Sequence, residues 1–310
     1  MYRLVLLTVF GLLCIGAKGQ QKTISITIDD VPNTQKYRDD GFRSIFLDRL
    51  DSLDVPFTVF FNESKVFQNE SIKKNIELLE RWITHQNSNL GNHSFSHLRY
   101  SEVGYARFID DIQKGEKLSD SLAILHKKSI DSFRFPFNDL GKDSLQHVHI
   151  KAYLSDRGDE IAPFTIESSD WMYDAVYRYY LEIGEHDKAK KIGQLYVIKT
   201  MELLGFFERM AVEIYGRPIS HIYLCHDNSI NADYIHHLVS ALRIDGYQIV
   251  SYDESLLDQV YRQEDNYFQK WGVSWLFRWM ATQNERVHWM KQEPDLTEIQ
   301  QLFDQLQQNR

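Results

Sequence analysis

Two cysteines, Cys14 and Cys225, are all that this chain of 310 residues has. Cys14 lies in a stretch that export would remove, so Cys225 is left without a partner and no disulfide is expected to hold the fold. Basic residues are also in short supply: 35 Lys and Arg stand against 44 Asp and Glu, a net charge of −9. Such a protein is a poor partner for nucleic acid or any other polyanion. No repeat recurs at solenoid periods, which excludes that architecture. Past residue 15 there is no long apolar run, so no integral membrane span is expected in the processed chain.

The one long apolar run, 4–15, follows Arg3 and precedes Ala17 and Gly19, small residues at the −3 and −1 positions of a cleavage site. Residues 1–19 therefore read as an export signal, and the protein is expected to be secreted or periplasmic, starting at Gln20 or Gln21. Cys14 offers a lipid anchor as the alternative, but Leu13 precedes it where a small residue is expected. Loss of Arg3 and Lys18 makes the processed chain more acidic still.

What is present is an ordered series of strands and helices. Residues 23–28 alternate Ile24, Ile26 and Ile28 with Thr23, Ser25 and Thr27, a strand pattern that runs into Asp29 and Asp30 and stops at Pro32. Neighbouring residues at a strand end point to opposite sides, so the two carboxylates are expected to do different jobs, one on a metal and one on a proton. Helices are expected over 38–54, 70–85, 102–126 and 232–244, with strands at 57–61, 131–137, 161–166, 219–224 and 247–252. Residues 172–215 read as two long helices joined near 184–187. Strand followed by helix about seven times predicts a parallel α/β sheet, either a barrel or a doubly wound sheet. Residues 266–310, rich in aromatics, read as an extension that packs on the domain, with a last helix over 295–306.

The polar singletons fall at or near strand ends: Asp29 and Asp30, His93 and His97, Arg134, Asp170, and His226. In a barrel of parallel strands those ends converge on one face, where active sites lie. His93 and His97 would share one face if their segment, a strand end opening into a helical turn, is helical, close enough to hold one metal ion. A carboxylate and two imidazoles leave a position open for water on an ion such as Zn²⁺, a second carboxylate can take a proton, and a more distant His can give one. Arg134 needs a carboxylate partner, since an unpaired buried cation is costly. Asp170 beside His226 would favour the charged imidazole. The chemistry this set supports is hydrolysis of an amide or ester.

These residues resemble the motifs of the polysaccharide deacetylases with a NodB homology domain, carbohydrate esterase family four, and in the family's order over about 22–260. Thr27-Ile-Asp29-Asp30 is similar to the first motif, which implies Asp29 as base and Asp30 as metal ligand. His93-Ser-Phe-Ser-His97 is similar to the second and implies both imidazoles as ligands. Arg134-Phe-Pro-Phe137 implies Arg134 on the base and the Phe137 N–H toward the oxyanion. Ser169-Asp170-Trp171 implies Trp171 as a wall of the sugar groove. Leu224-Cys-His226 implies Leu224 against the acetyl methyl and His226 as general acid. The implied fold is a distorted (β/α) barrel of about seven parallel strands, occupying 20–262 with a helical insertion at 172–218 and followed by the extension 263–310. The implied activity is metal-dependent removal of acetyl from an acetylated oligo- or polysaccharide, with Zn first and Co, Ni or Mn as alternatives. Removal of N-acetyl from a peptidoglycan- or chitin-like glycan leads; an O-acetyl esterase, or a carbohydrate-binding protein on an inactive scaffold, are the other readings. Ile28 for Phe, Val31-Pro32 for Gly, Glu167 for Asp and the long 172–220 segment depart from the family pattern, and all bear on the groove.

Overall fold

The structure is a computed structural model that describes residues 21–308; the expected signal and Cys14 lie outside the described residues. Its centre is strand β1 (Thr23–Val31), which pairs in parallel with β2 (Phe57–Phe61). From there the sheet runs through β3 (Ser88–Asn92), β4 (Ser132–Phe133) and the edge strand β5 (Glu160–Ile161). The other edge is β6 (Ile166–Glu167), which pairs with β7 (Ser220–His226), itself aligned with β1 from Thr23 to Asp29. A further two-residue strand, β8 (Gln248–Ile249), pairs with the start of β1. The path β5-β4-β3-β2-β1-β7-β6 is parallel throughout, a curled, distorted barrel rather than a doubly wound sheet. β1 is buried on both faces: Ile24, Ile26 and Ile28 lie in the main core, and Ser25 and Thr27 are equally enclosed. Each fully buried Ile or Val contributes about 1.5–3 kcal/mol, and the polar face meets the buried Arg134 guanidinium, whose Nη2 donates to Thr27 Oγ1.

The single strand expected over 161–166 is instead two short strands on opposite open edges of the sheet, joined by residues 162–165. That strip crosses the gap. Ala162 N donates to Phe133 O (2.9 Å) and Thr165 N donates to Ile222 O (2.9 Å). The C-terminal extension covers it, with Trp275 N donating to Phe164 O (3.0 Å) and Ser274 Oγ to Thr165 O (2.7 Å). Trp275, Leu276, Phe277 and Trp279 join the main core.

Other expectations change as well: the strands expected over 131–137 and 247–252 shrink to β4 and β8. The helix expected over 38–54 is two, Thr34–Asp39 and Ile45–Leu53, because Gly41 and Phe42 adopt positive φ between them. The one over 102–126 is three, Tyr100–Val103, Tyr105–Lys114 and Lys117–Leu125, interrupted at Gly104 and Gly115. A Cβ at Gly115 would lie 2.4 Å from Phe95 N and Ser94 C, so the glycine is what lets this helix end approach the His93–His97 loop. Helix Ser144–Arg157 was not expected; its buried side chains are only His147, Ile150 and Leu154, while Leu145 and Val148 face solvent. The segment expected as a helical insertion is two helices, Asp170–Glu182 and His186–Tyr215, with a small core of their own around Tyr173, Val176, Ile192 and Tyr196. The terminal helix Thr297–Gln308 adds Ile299 to that core. No helix among the described residues is long and apolar enough to cross a membrane.

Candidate active site and metal centre

The carboxyl ends of the strands open into a cleft of about 1140 Å³. β1 delivers both of its carboxylates there. The expectation that they point apart fails because Asp30 has φ 66°, which breaks the strand's alternation at a register shift between Ile28 and Val31. Asp30 Oδ2 is 3.1 Å from Lys65 Nζ, which also donates to the Asp30 carbonyl (3.0 Å). Asp30 Oδ1 is buried without a hydrogen-bond partner and lies 3.8 Å from His93 Nε2 and 3.6 Å from His97 Nε2.

His93 leaves β3 directly. Its Nδ1 lies 2.7 Å from Arg134 O, and since a carbonyl can only accept, Nδ1 carries the proton and Nε2 presents a lone pair. The segment to His97 is a loop and not the helical turn expected: Ser94 and His97 both have positive φ. One neighbouring and two distant side chains hold it in that shape. Asn92 Oδ1 accepts from Ser94 N (2.7 Å), Asp111 Oδ2 from Ser96 N (2.9 Å), and Asn62 Nδ2 donates to Ser94 O (3.1 Å). Burial lowers both imidazoles to about 4 against the pull of Asp30, so they are neutral at pH 7. Burial alone would raise Asp30, but Lys65, His97 and His93 outweigh it and hold its carboxyl well below the usual range. The three ligand atoms lie within 4.8 Å of one another. Bonds of about 2.0–2.1 Å in a tetrahedral site put neighbouring ligand atoms about 3.4 Å apart. An orphaned carboxylate oxygen facing two neutral imidazoles therefore fits a divalent cation.

The opposite wall handles protons. Asp29 is buried and its Oδ1 lies 3.7 Å from Nη1 of the fully buried Arg134. Arg134 Nη2 donates to Pro163 O (3.1 Å) and Thr27 Oγ1 (3.3 Å), and its guanidinium sits 4.6 Å over the Phe60 ring. Burial raises the Asp29 carboxyl despite Arg134 and His226. His226 ends β7 opposite Asp29 in register. Its Nδ1–H donates to Asp170 Oδ1 at 2.6 Å, and Asp170 Oδ2 accepts from the backbone N of His226 and from Asn228 Nδ2, both at 2.9 Å, and from Asn231 Nδ2. Burial would lower His226, but the charge and hydrogen bond of Asp170 overcome it and push the imidazole up to about 10. It is a cation at neutral pH.

Eight of the ten residues singled out in the sequence line this one cleft; Arg134 and Asp170 lie enclosed behind it. Phe137, 45% exposed with φ 57°, packs edge to face with His97, ring centres 4.5 Å apart, and carries Arg99 4.0 Å above it. Leu224 is a buried part of the lining, and Trp171, 47% exposed, rests edge-on against Phe303 of the terminal helix at 5.2 Å. Sequence reasoning missed Lys65, although it follows the end of β2 just as the chosen residues follow theirs. Trp271, read from the sequence as part of the packing extension, is instead 58% exposed and part of the cleft wall. Glu167, noted only as a departure, lines the cleft at the end of β6 and is pushed up to about 7 by burial, with the charge of Asp170 adding to it.

Residues 16–153 match the family model described as polysaccharide deacetylase. Comparison with curated proteins finds no match. Among solved structures the chain resembles a mutant of BA3943, described as a CE4 family pseudoenzyme, at 18% identity and TM-score 0.50, over 76% of this chain and 68% of that one. The wild-type form of that pseudoenzyme is from Bacillus anthracis. The chain also resembles Bc1960, described as a peptidoglycan N-acetylglucosamine deacetylase, at 15% identity and TM-score 0.50, over 76% of this chain and 88% of that one. At such identities these likenesses speak for the fold. The resemblance to the polysaccharide deacetylases read from the motifs is shown by the family match, which covers the first three of them.

Proposed function

We propose that the protein is an exported, divalent-metal-dependent deacetylase that hydrolyses N-acetyl groups of an amino-sugar glycan, peptidoglycan- or chitin-like, to acetate and free amine. One observation carries this reading. A ligand set of the Asp30 carboxylate and the neutral His93 and His97 imidazoles stands between a carboxylate backed by an arginine and an imidazolium backed by a carboxylate. Asp30, His93 and His97 would hold the cation, with Zn first and Co, Ni or Mn as alternatives. When bound, the cation supplies water acidified toward neutrality and polarises the acetyl carbonyl. Asp29 then takes the proton of the attacking water, held in orientation by Arg134. The Phe137 N–H faces the oxygen that gains charge. His226 gives its proton to the leaving nitrogen, so that the amine departs neutral, and Asp170 keeps the ring charged and aimed until that moment. Leu224 bounds the acetyl methyl, and Trp171 offers the face on which a sugar ring stacks.

The test is acetate release from a panel holding N-acetylglucosamine oligomers, peptidoglycan fragments and acetyl-xylan, with chelator and with added Zn, Co, Ni or Mn. Turnover of the N-acetylated substrates that chelator abolishes and a metal restores is expected. Turnover of acetyl-xylan alone would make it an O-acetyl esterase, and metal binding without any turnover would leave a carbohydrate-binding protein.

A further inference from the structure

The insertion helix His186–Tyr215 reaches the acid wall of the cleft through a chain of wholly buried polar groups. Ser168, Tyr223, Tyr196, Asn231 and Asp170 are all enclosed. Ser168 Oγ meets Tyr223 OH at 2.9 Å, Tyr223 OH meets Tyr196 OH at 2.7 Å, and Tyr196 OH donates to Asn231 Oδ1. Proton counting fixes every direction. A phenol has one proton. Tyr196 uses its own on Asn231, so Tyr223 must donate to Tyr196 and Ser168 to Tyr223. The Asn231 amide is thereby oriented, its oxygen toward Tyr196 and its NH₂ toward Asp170 Oδ2 and the His226 carbonyl (2.9 Å). The reverse orientation would set the amide oxygen against a carboxylate and a carbonyl, two acceptors.

We infer that Tyr196 is a positioning residue for the general acid: its hydroxyl locks the Asn231 amide, which anchors Asp170 Oδ2 and leaves Asp170 Oδ1 aimed at His226 Nδ1. The inference rests on the deacetylase reading and gives the long insertion a part in it. Burial holds the Tyr196 phenol far above its ordinary pKa, so it remains a donor across the working range. Without that hydroxyl the buried Asn231 Oδ1 loses its donor, and the amide that anchors Asp170 Oδ2 is held from one side only.

Tyr196→Phe keeps the ring and removes the hydroxyl, and Tyr223→Phe removes an equally buried hydroxyl one link further away. Tyr196→Phe is expected to lower kcat about tenfold, the low end for an outer partner of a working group, with KM within twofold. Tyr223→Phe is expected to do less. A merely structural role would give both variants the same small effect. Should Tyr196→Phe fail to fold, Asn231→Ala is expected to reproduce the kcat loss. A second readout needs no turnover: the downfield His226 Nδ1–H proton, followed by NMR, should exchange with water faster in Tyr196→Phe than in the parent. If no glycan is turned over by the parent, faster exchange in the variant still upholds the positioning role, and only the deacetylase reading falls. Unchanged exchange overturns the positioning role, and so does an unchanged kcat or a KM that rises in step with any loss.

Discussion

Three imidazoles meet in one cleft, and its two walls treat them in opposite ways. His93 and His97 are driven down to about 4 and are neutral; His226 is driven up to about 10 and is charged. Burial pushes all three downward, so solvent exclusion is not what separates them. The separation lies in how carboxylate charge is delivered. Asp30 faces His93 and His97 at 3.6–3.8 Å, shares itself between them and is also neutralised by Lys65. Asp170 is dedicated to His226, 2.6 Å from its ring nitrogen, and is fixed by three further donors. One wall thus presents lone pairs suited to a cation, and the other presents a proton to give away. Environments that push like groups apart in pKa are how one site performs acid and base chemistry together.

The largest effect should come from breaking the ligand wall. Asp30→Ala or His93→Ala is expected to lose bound metal, read by elemental analysis, and to cut acetate release at least about a thousandfold; unchanged turnover in either would sink the metal assignment. Breaking the proton wall should be separable. Asp29→Asn and His226→Ala are expected to retain metal while kcat falls about 10²–10⁴-fold. If metal is lost as well, the two walls are not independent. Asp170→Asn sharpens the comparison by pH. His226 must be protonated to act, so activity should persist to about pH 10 and fall above it. In Asp170→Asn that alkaline limb should slide toward the ordinary histidine pKa of about 6.5. Because the folded-state value is raised, the stability it contributes is complete below the unfolded pKa and is lost as pH rises through about 10, which thermal melts across pH would register. The smallest effect is expected from Trp171→Ala or Trp271→Ala. Each should raise KM for oligomers by roughly two- to tenfold, the value of one stacked aromatic, with kcat for a monomer unchanged.

Much of this site was legible in the sequence for a reason that needs no fine detail. Parallel strands deliver their carboxyl ends to one face, so polar residues at successive strand ends meet whatever the loops do. Asp29, Asp30, His93, Arg134 and His226 were found that way. What could not be read depends on bonds between residues far apart in the chain. The helical turn expected across His93 and His97 gives way to a loop that Asn62 and Asp111 hold open. The left-handed Asp30 turns both carboxylates into one cleft, which alternation alone argues against. The helix at 144–157 escaped notice because its buried stripe includes a histidine and two of its apolar side chains face water.

The strip 162–165 ties the far end of the chain to the chemistry. Ser274 and Trp275 clasp it from outside, and its Pro163 carbonyl is where Arg134 rests from within. Trimming the protein back toward residue 262 would therefore do more than shorten it: the Phe164 and Thr165 carbonyls would lose their donors, and the rest beneath Arg134 would loosen. Damage at the carboxyl terminus should thus reach the Asp29 carboxylate as well as the aromatic wall of the cleft.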